Sequence, residues 1–139
     1  VVVRAAEIRM SAFVTHRGGC HCGRVAFEVD APARIDAIEC NCSICRMTGF
    51  LHLIVPASRF RLLRGAEDLT QYTFNTGVAK HTFCRVCGVK PFYIPRSNPD
   101  GLDINVHCLD RSTIAAIEIT PFDDTRRDES TAAIQHLSR

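Results

Sequence analysis

The sequence predicts a mostly β domain with little helix. Short runs of alternating apolar and polar residues recur along the chain, and Gly, Pro, Asn and Asp gather between them. A third observation says what such a scaffold carries. Seven of the eight cysteines fall into three clusters, each at an expected strand end or in a tight turn.

The elements follow in order. RVAFEV (24–29) alternates, placing Val25, Phe27 and Val29 on one face, and APAR (31–34) breaks it with a proline. IDAIEC (35–40) reads as a second strand running into a cysteine triplet. SICRM (43–47) has room for one helical turn, stopped by Gly49. FLHLIVP (50–56) is a bulky strand closed by Pro56, and RFRLL (59–63) and LTQYTF (69–74) alternate again. KHTF (80–83) enters the last cysteine pair and VKPFYI (89–94) leaves it, with Pro91 pointing to an edge strand or a bulge. RSNPDG (96–101) is a turn, LDINVH (102–107) a final strand. After Pro121 the chain turns polar, and ESTAAIQHLSR (129–139) reads as a short helix capped at Ser130 or as a fraying end. No internal repeat is visible.

A chain of 139 residues suggests one domain. Met10 marks residues 1–9 as upstream sequence, residues 1–15 read as an extension, 16–123 as the domain and 124–139 as a tail. Seventeen basic against fifteen acidic residues is too even a balance to argue for nucleic acid. No run approaches the ~18 apolar residues of a membrane helix. Arg4, Glu7 and Arg9 interrupt any apolar signal region. The expected setting is therefore the reducing cytoplasm, where eight cysteines point to metal or catalysis rather than to a disulfide framework.

The cysteines divide as two, three and two: Cys20 and Cys22, then Cys40, Cys42 and Cys45, then Cys84 and Cys87. Glycines flank the first pair and follow the last, as tight metal-binding turns require. The two pairs together supply four sulfurs, a closed structural zinc site. The triplet is left with three ligands and an open position, the pattern of a catalytic zinc. Three thiolates make that metal a weak activator of water but a good holder of a fourth thiol as thiolate. Two other readings stand beside this one. Cys108, His52, His81 or His107 would close the triplet as a fourth ligand, or Cys42 and Cys45 would work as a metal-free dithiol. Cys108 alone reads as a packed thiol, His21 as pointing away from the metal, and His16 and His136 as peripheral. Arg46 and Arg96 are the candidate partners for a carboxylate-bearing thiol.

Together, HRGGCHCGRVAFEV, CNCSICR, HTFCRVCGV and FYIPRSNPDG…INVHCLD resemble the glutathione-dependent formaldehyde-activating family, which also includes centromere protein V. The resemblance runs from about His16 to Asp110. It implies small antiparallel sheets around two zinc sites, similar to Mss4 and known as a β-tent. It implies a structural zinc on Cys20, Cys22, Cys84 and Cys87, and a second, open zinc on Cys40, Cys42 and Cys45. The implied activity is that of S-(hydroxymethyl)glutathione synthase, a carbon–sulfur lyase joining glutathione to formaldehyde. The expectation from the sequence is a zinc-dependent enzyme of that kind. The rival is a non-catalytic zinc module that binds a protein or nucleic-acid partner.

Overall fold

The computed structural model describes residues 13–139, with all of their side chains except those of residues 126–128. Residues 1–9, which the sequence led us to expect as upstream sequence, lie outside the described residues. The strands are β1 (Phe13–Gly19), β2 (Ala26–Pro32), β3 (Arg34–Cys40), β4 (His52–Pro56), β5 (Phe60–Arg64), β6 (Leu69–Tyr72), β7 (His81–Cys84), β8 (Phe92–Tyr93), β9 (Gly101–Asn105) and β10 (Ala116–Phe122). Among the described residues they form three sheets, ordered β1-β2-β5, β10-β3-β4-β9-β8 and β6-β7. The expected fold class holds: mostly β, in small sheets around the cysteine clusters.

β2 shows how its sequence places it. Val25, just ahead of the strand, and Phe27 and Val29 within it are all 0% exposed, as their alternation predicts. Phe27 stacks on Phe60 at 5.4 Å and meets Phe92 edge-on at 5.6 Å, joining the first sheet to the second. Ile35, Ala37, Val55, Phe92 and Ile104 continue this core from the five-stranded sheet.

The other face of that sheet positions the site. β3 meets β4 with Ile38 opposite His52, β4 meets β9 with Ile54 opposite Asp103, and β8 meets β9 with Tyr93 opposite Asp103. Residues opposite one another, and residues two apart on one strand, share a face. Cys40, Ile38, His52, Ile54, Asp103 and Tyr93 therefore form one continuous surface, facing away from the core.

Several elements differ from the sequence reading. β1 begins at Phe13, inside the stretch read as extension, and pairs antiparallel with β2. β10 has no counterpart among the strands expected from the sequence, and it runs parallel to β3. LTQYTF keeps only its first four residues as β6, and Phe74 swings into the loop beyond. LDINVH ends as a strand at Asn105 and turns into a 3₁₀ segment, Val106–Cys108. The helix Ser43–Thr48 stops at Gly49 as expected, and Pro91 precedes β8, an edge strand. His16 is not peripheral: it is fully buried, with Nδ1 2.7 Å from Thr113 Oγ1 and Nε2 3.0 Å from the Pro32 carbonyl.

The C-terminal helix spans Arg127–Ile134, so Ser130 lies inside it rather than capping it. Its hydroxyl instead donates to the Asp123 carbonyl at 2.5 Å. The segment that follows is tied down by Asn98, which is 1% exposed. The Asn98 amide reaches the carbonyls of Ile134 and Gln135 at 3.0 and 3.1 Å and the Ser138 hydroxyl at 2.9 Å. Asn98→Ala removes this anchor and its three hydrogen bonds, an expected loss of about 2 kcal/mol. The urea midpoint should fall with an unchanged slope, and protease should cut first within residues 127–139.

Candidate functional site

The structure gathers the cysteines into two clusters. Cys20, Cys22, Cys84 and Cys87 offer four sulfurs within 4.8 Å of one another, and Cys40, Cys42 and Cys45 offer three. Among the described residues no histidine or carboxylate joins either group at that range. His52 and His81 stay outside the triplet. His107 is exposed, and Cys108 lies half-buried with its thiol directed at the Lys90 carbonyl, 3.9 Å away.

The quartet is built from two tight turns. In the first, the Cys20 amide donates to the Val25 carbonyl, and the Gly23 amide donates back to Cys20. In the second, the Cys84 amide donates to the Val89 carbonyl and the Gly88 amide to Cys84. Gly23 and Gly88 take φ of 82° and 78°, the left-handed backbone that the two glycine-flanked motifs anticipate. Cys20 and Cys22 sulfurs lie 3.6 Å apart, and Cys22 and Cys84 sulfurs 3.7 Å. A tetrahedral zinc with ~2.3 Å bonds spaces its sulfurs about 3.8 Å apart, so the donor set fits that ion.

The triplet is built differently. Cys40 ends β3, Cys42 precedes the helix Ser43–Thr48 and Cys45 lies in its first turn. The Cys42 amide points at the Cys40 sulfur at 3.5 Å, and the Arg46 amide closes the helix on the Cys42 carbonyl at 2.9 Å. Cys45 is 5% exposed and the other two are half-buried. The sulfurs compete for protons. Cys42 is held far below the usual thiol range because Cys40 and Cys45 donate to it, and those two are pushed up in return. A lowered thiol held between two other sulfurs is a donor set that suits a soft cation.

All three triplet cysteines line a cleft with about 880 Å³ of empty space, part of it open to solvent, and none of the quartet does. Its floor is the sheet face carrying Ile38, Cys40, His52, Ile54, Asp103 and Tyr93. The 73–80 loop supplies one wall with Phe74, and the C-terminal helix another with Thr131 and Ile134. Arg96 lines the cleft too, its guanidinium donating to the Thr131 hydroxyl at 3.0 Å. Arg46 is exposed, on the helix that carries Cys45, and is not among the residues lining the cleft.

A group of buried polar residues, not assembled by the sequence reading, completes the floor. His52 is 4% exposed, and its Nδ1 lies 2.6 Å from Asp103 Oδ2. Lys90 is 8% exposed and its ammonium lies 2.6 Å from His81 Nδ1, above the rings of Tyr93 and Phe50 at 3.9 and 5.0 Å. His81 is sandwiched between Tyr93 at 4.8 Å and Phe74 at 5.3 Å. Burial lowers Lys90 to about 8, which leaves it charged at neutral pH. Burial first, and then the Lys90 charge, lower His81 to about 4, so its ring is neutral there. Burial also raises the Tyr93 phenol well above its ordinary range. These residues come from four strands and a loop, and no local spacing announces them.

Two comparisons with known proteins bear on this arrangement. The family described as glutathione-dependent formaldehyde-activating enzyme matches residues 15–123. A crystal structure of a Rhodobacter sphaeroides protein, determined by a structural-genomics programme, is 38% identical to this chain with a TM-score of 0.62. The match covers 75% of this chain and 99% of that one. No described helix is long and apolar enough to cross a membrane. The family match takes in all seven clustered cysteines, and the fold brings them together as one quartet and one triplet able to hold metal ions. The chain belongs to the glutathione-dependent formaldehyde-activating enzyme family.

Proposed function

We propose that this chain is a zinc-dependent thiol–carbonyl enzyme of the carbon–sulfur lyase type. It joins a carboxylate-bearing thiol such as glutathione to formaldehyde, forming an S-hydroxymethyl adduct. The observation that carries this reading is the difference between the two clusters. Four sulfurs form a set that is complete without substrate, while three line a cleft. Cys20, Cys22, Cys84 and Cys87 would hold a structural zinc, and Cys40, Cys42 and Cys45 a second. Bound to the triplet, zinc would supply the positive charge that keeps an incoming thiol in its nucleophilic thiolate form.

The chain's own residues do the rest. Arg96 receives a substrate carboxylate at one end of the cleft, while the Cys40 end takes the sulfur. The apolar surface of Ile38, Ile54 and Phe74 excludes water from the reacting pair. Holding sulfur and carbonyl carbon together removes much of the entropic cost of a bimolecular step.

Exchange between formaldehyde and S-(hydroxymethyl)glutathione, followed by NMR with zinc-loaded protein, tests the reading. Exchange well above the protein-free rate is the expected result. No acceleration by protein that holds two zinc ions per chain would sink this reading and favour the non-catalytic zinc module.

A further inference from the structure

Two ring nitrogens at the floor of the cleft have no partner among the described residues: His52 Nε2 and His81 Nε2, both buried. Asp103 Oδ1, on the same floor, is a third such atom. A buried polar atom without a partner costs about 1–3 kcal/mol, so three on one surface ask for an explanation. Both rings line the cleft that holds the triplet. Both also lie within electrostatic range of Cys42.

Their other nitrogens decide what these two atoms are. Lys90 is a donor with no lone pair when charged, so His81 Nδ1 must accept from it. The proton of a neutral His81 ring is then on Nε2, an N–H without a partner on a residue that lines the cleft. Asp103 is an acceptor, so His52 Nδ1 must donate to it. The free His52 Nε2 then presents a lone pair. Two cleft-lining residues of one type thus carry opposite hydrogen-bonding characters at their unpartnered nitrogens, and the tautomer of each is set at its other nitrogen by a buried charged group.

We propose that His81 Nε2–H binds the carbonyl oxygen of the substrate aldehyde, and that His52 Nε2 carries the thiol proton. This inference rests on the proposed thiol–carbonyl reaction and assigns its oxygen and proton sites. In the forward direction His52 Nε2 takes the proton from the thiol. The sulfur lone pair forms the S–C bond, and the carbonyl π pair moves onto oxygen. The developing oxyanion is held by the His81 N–H, and His52 returns the proton to it as the hydroxyl forms. Thiol and aldehyde become the S-hydroxymethyl adduct, with no other reactant consumed. The low affinity of His81 for a second proton keeps it a neutral donor, so that it does not protonate the nucleophile. Its sandwich between Tyr93 and Phe74 fixes the direction of the N–H before substrate arrives.

One substitution made at both positions tests this, because glutamine offers an N–H but cannot carry a proton. With zinc-loaded full-length protein, His81→Gln should keep most of kcat in the NMR exchange assay, while His81→Leu should lose ~10²-fold or more with little change in KM. His52→Gln should lose ~10²-fold or more despite its amide. Zinc content and dispersed amide spectra must match wild type in each variant. Independently of rate, long-range proton–nitrogen correlation of the wild-type ring should show His81 as the Nε2–H tautomer. An Nδ1–H tautomer overturns the assignment whatever the rates. Active wild type with His81→Leu unimpaired, or with both glutamine variants equally affected, overturns it while leaving the proposed function standing. Wild type without any acceleration overturns both.

Discussion

Cys84→Ala should fail to fold. Cys84 is 0% exposed within the hydrophobic core, and its sulfur lies 3.7 Å from that of Cys22, sixty-two residues earlier. Through this contact the turn after β1 is held to the end of β7, in a different sheet. A structural zinc contributes ~10–16 kcal/mol of apparent binding energy in small domains. Total stabilities of domains run only to about 5–15 kcal/mol. Removing one of four ligands and opening a hole in the core therefore takes away more than the fold can lose. The expected result is insoluble protein, or soluble protein with a disordered circular-dichroism spectrum and less than one zinc per chain. A folded variant that keeps two zinc ions would show that the quartet does not hold the domain together.

Cys45→Ala should give the opposite pattern: a folded protein with one zinc per chain and no catalysis. The short helix that carries Cys45 tolerates alanine, the best helix former. The main-chain bonds that shape this segment, from Arg46 to Cys42 and from Phe50 to Cys45, do not involve the sulfur. Thermal stability should therefore fall far less than in Cys84→Ala. Exchange between formaldehyde and S-(hydroxymethyl)glutathione should drop to the protein-free rate, because two sulfurs no longer complete the site for an incoming thiol. If Cys45→Ala unfolds as badly as Cys84→Ala, the triplet is a second structural staple. If it exchanges at the wild-type rate, the chemistry lies elsewhere.

These two variants separate what was read locally from what needed the fold. Cys-x-Cys and Cys-x-x-Cys place sulfurs on adjacent backbone turns, so the halves of each cluster are legible from spacing alone. The division into a quartet and a triplet follows from counting ligands against a four-coordinate ion. Val25, Phe27 and Val29 announce the buried face of β2 because a strand alternates strictly. β10 is not legible locally, because its pairing is decided by a distant partner: Ile117 lies beside Ile35, more than eighty residues back, and nothing nearby signals a parallel neighbour. Nothing local announces the burial of His16, because its ring is satisfied by the remote Thr113 and by Pro32 across a hairpin.

The site divides along the same line. By sequence Arg46 and Arg96 are equal candidates, one beside the triplet and one far from it. The fold puts the distant Arg96 in the cleft, while the helix leaves its neighbour Arg46 exposed. The Lys90–His81 contact and the His52–Asp103 contact each join two segments, and the stack of Tyr93 on His81 depends on the bridge between Lys80 and Ile94. By itself the sequence determined the mostly β class, the turns and the grouping of the cysteines, because backbone alternation, glycine and ligand spacing act over a few residues. Tertiary structure alone decided which sulfurs face a cleft and which histidine nitrogens are left without partners there. Those depend on strand register, and register is set by packing across the whole sheet.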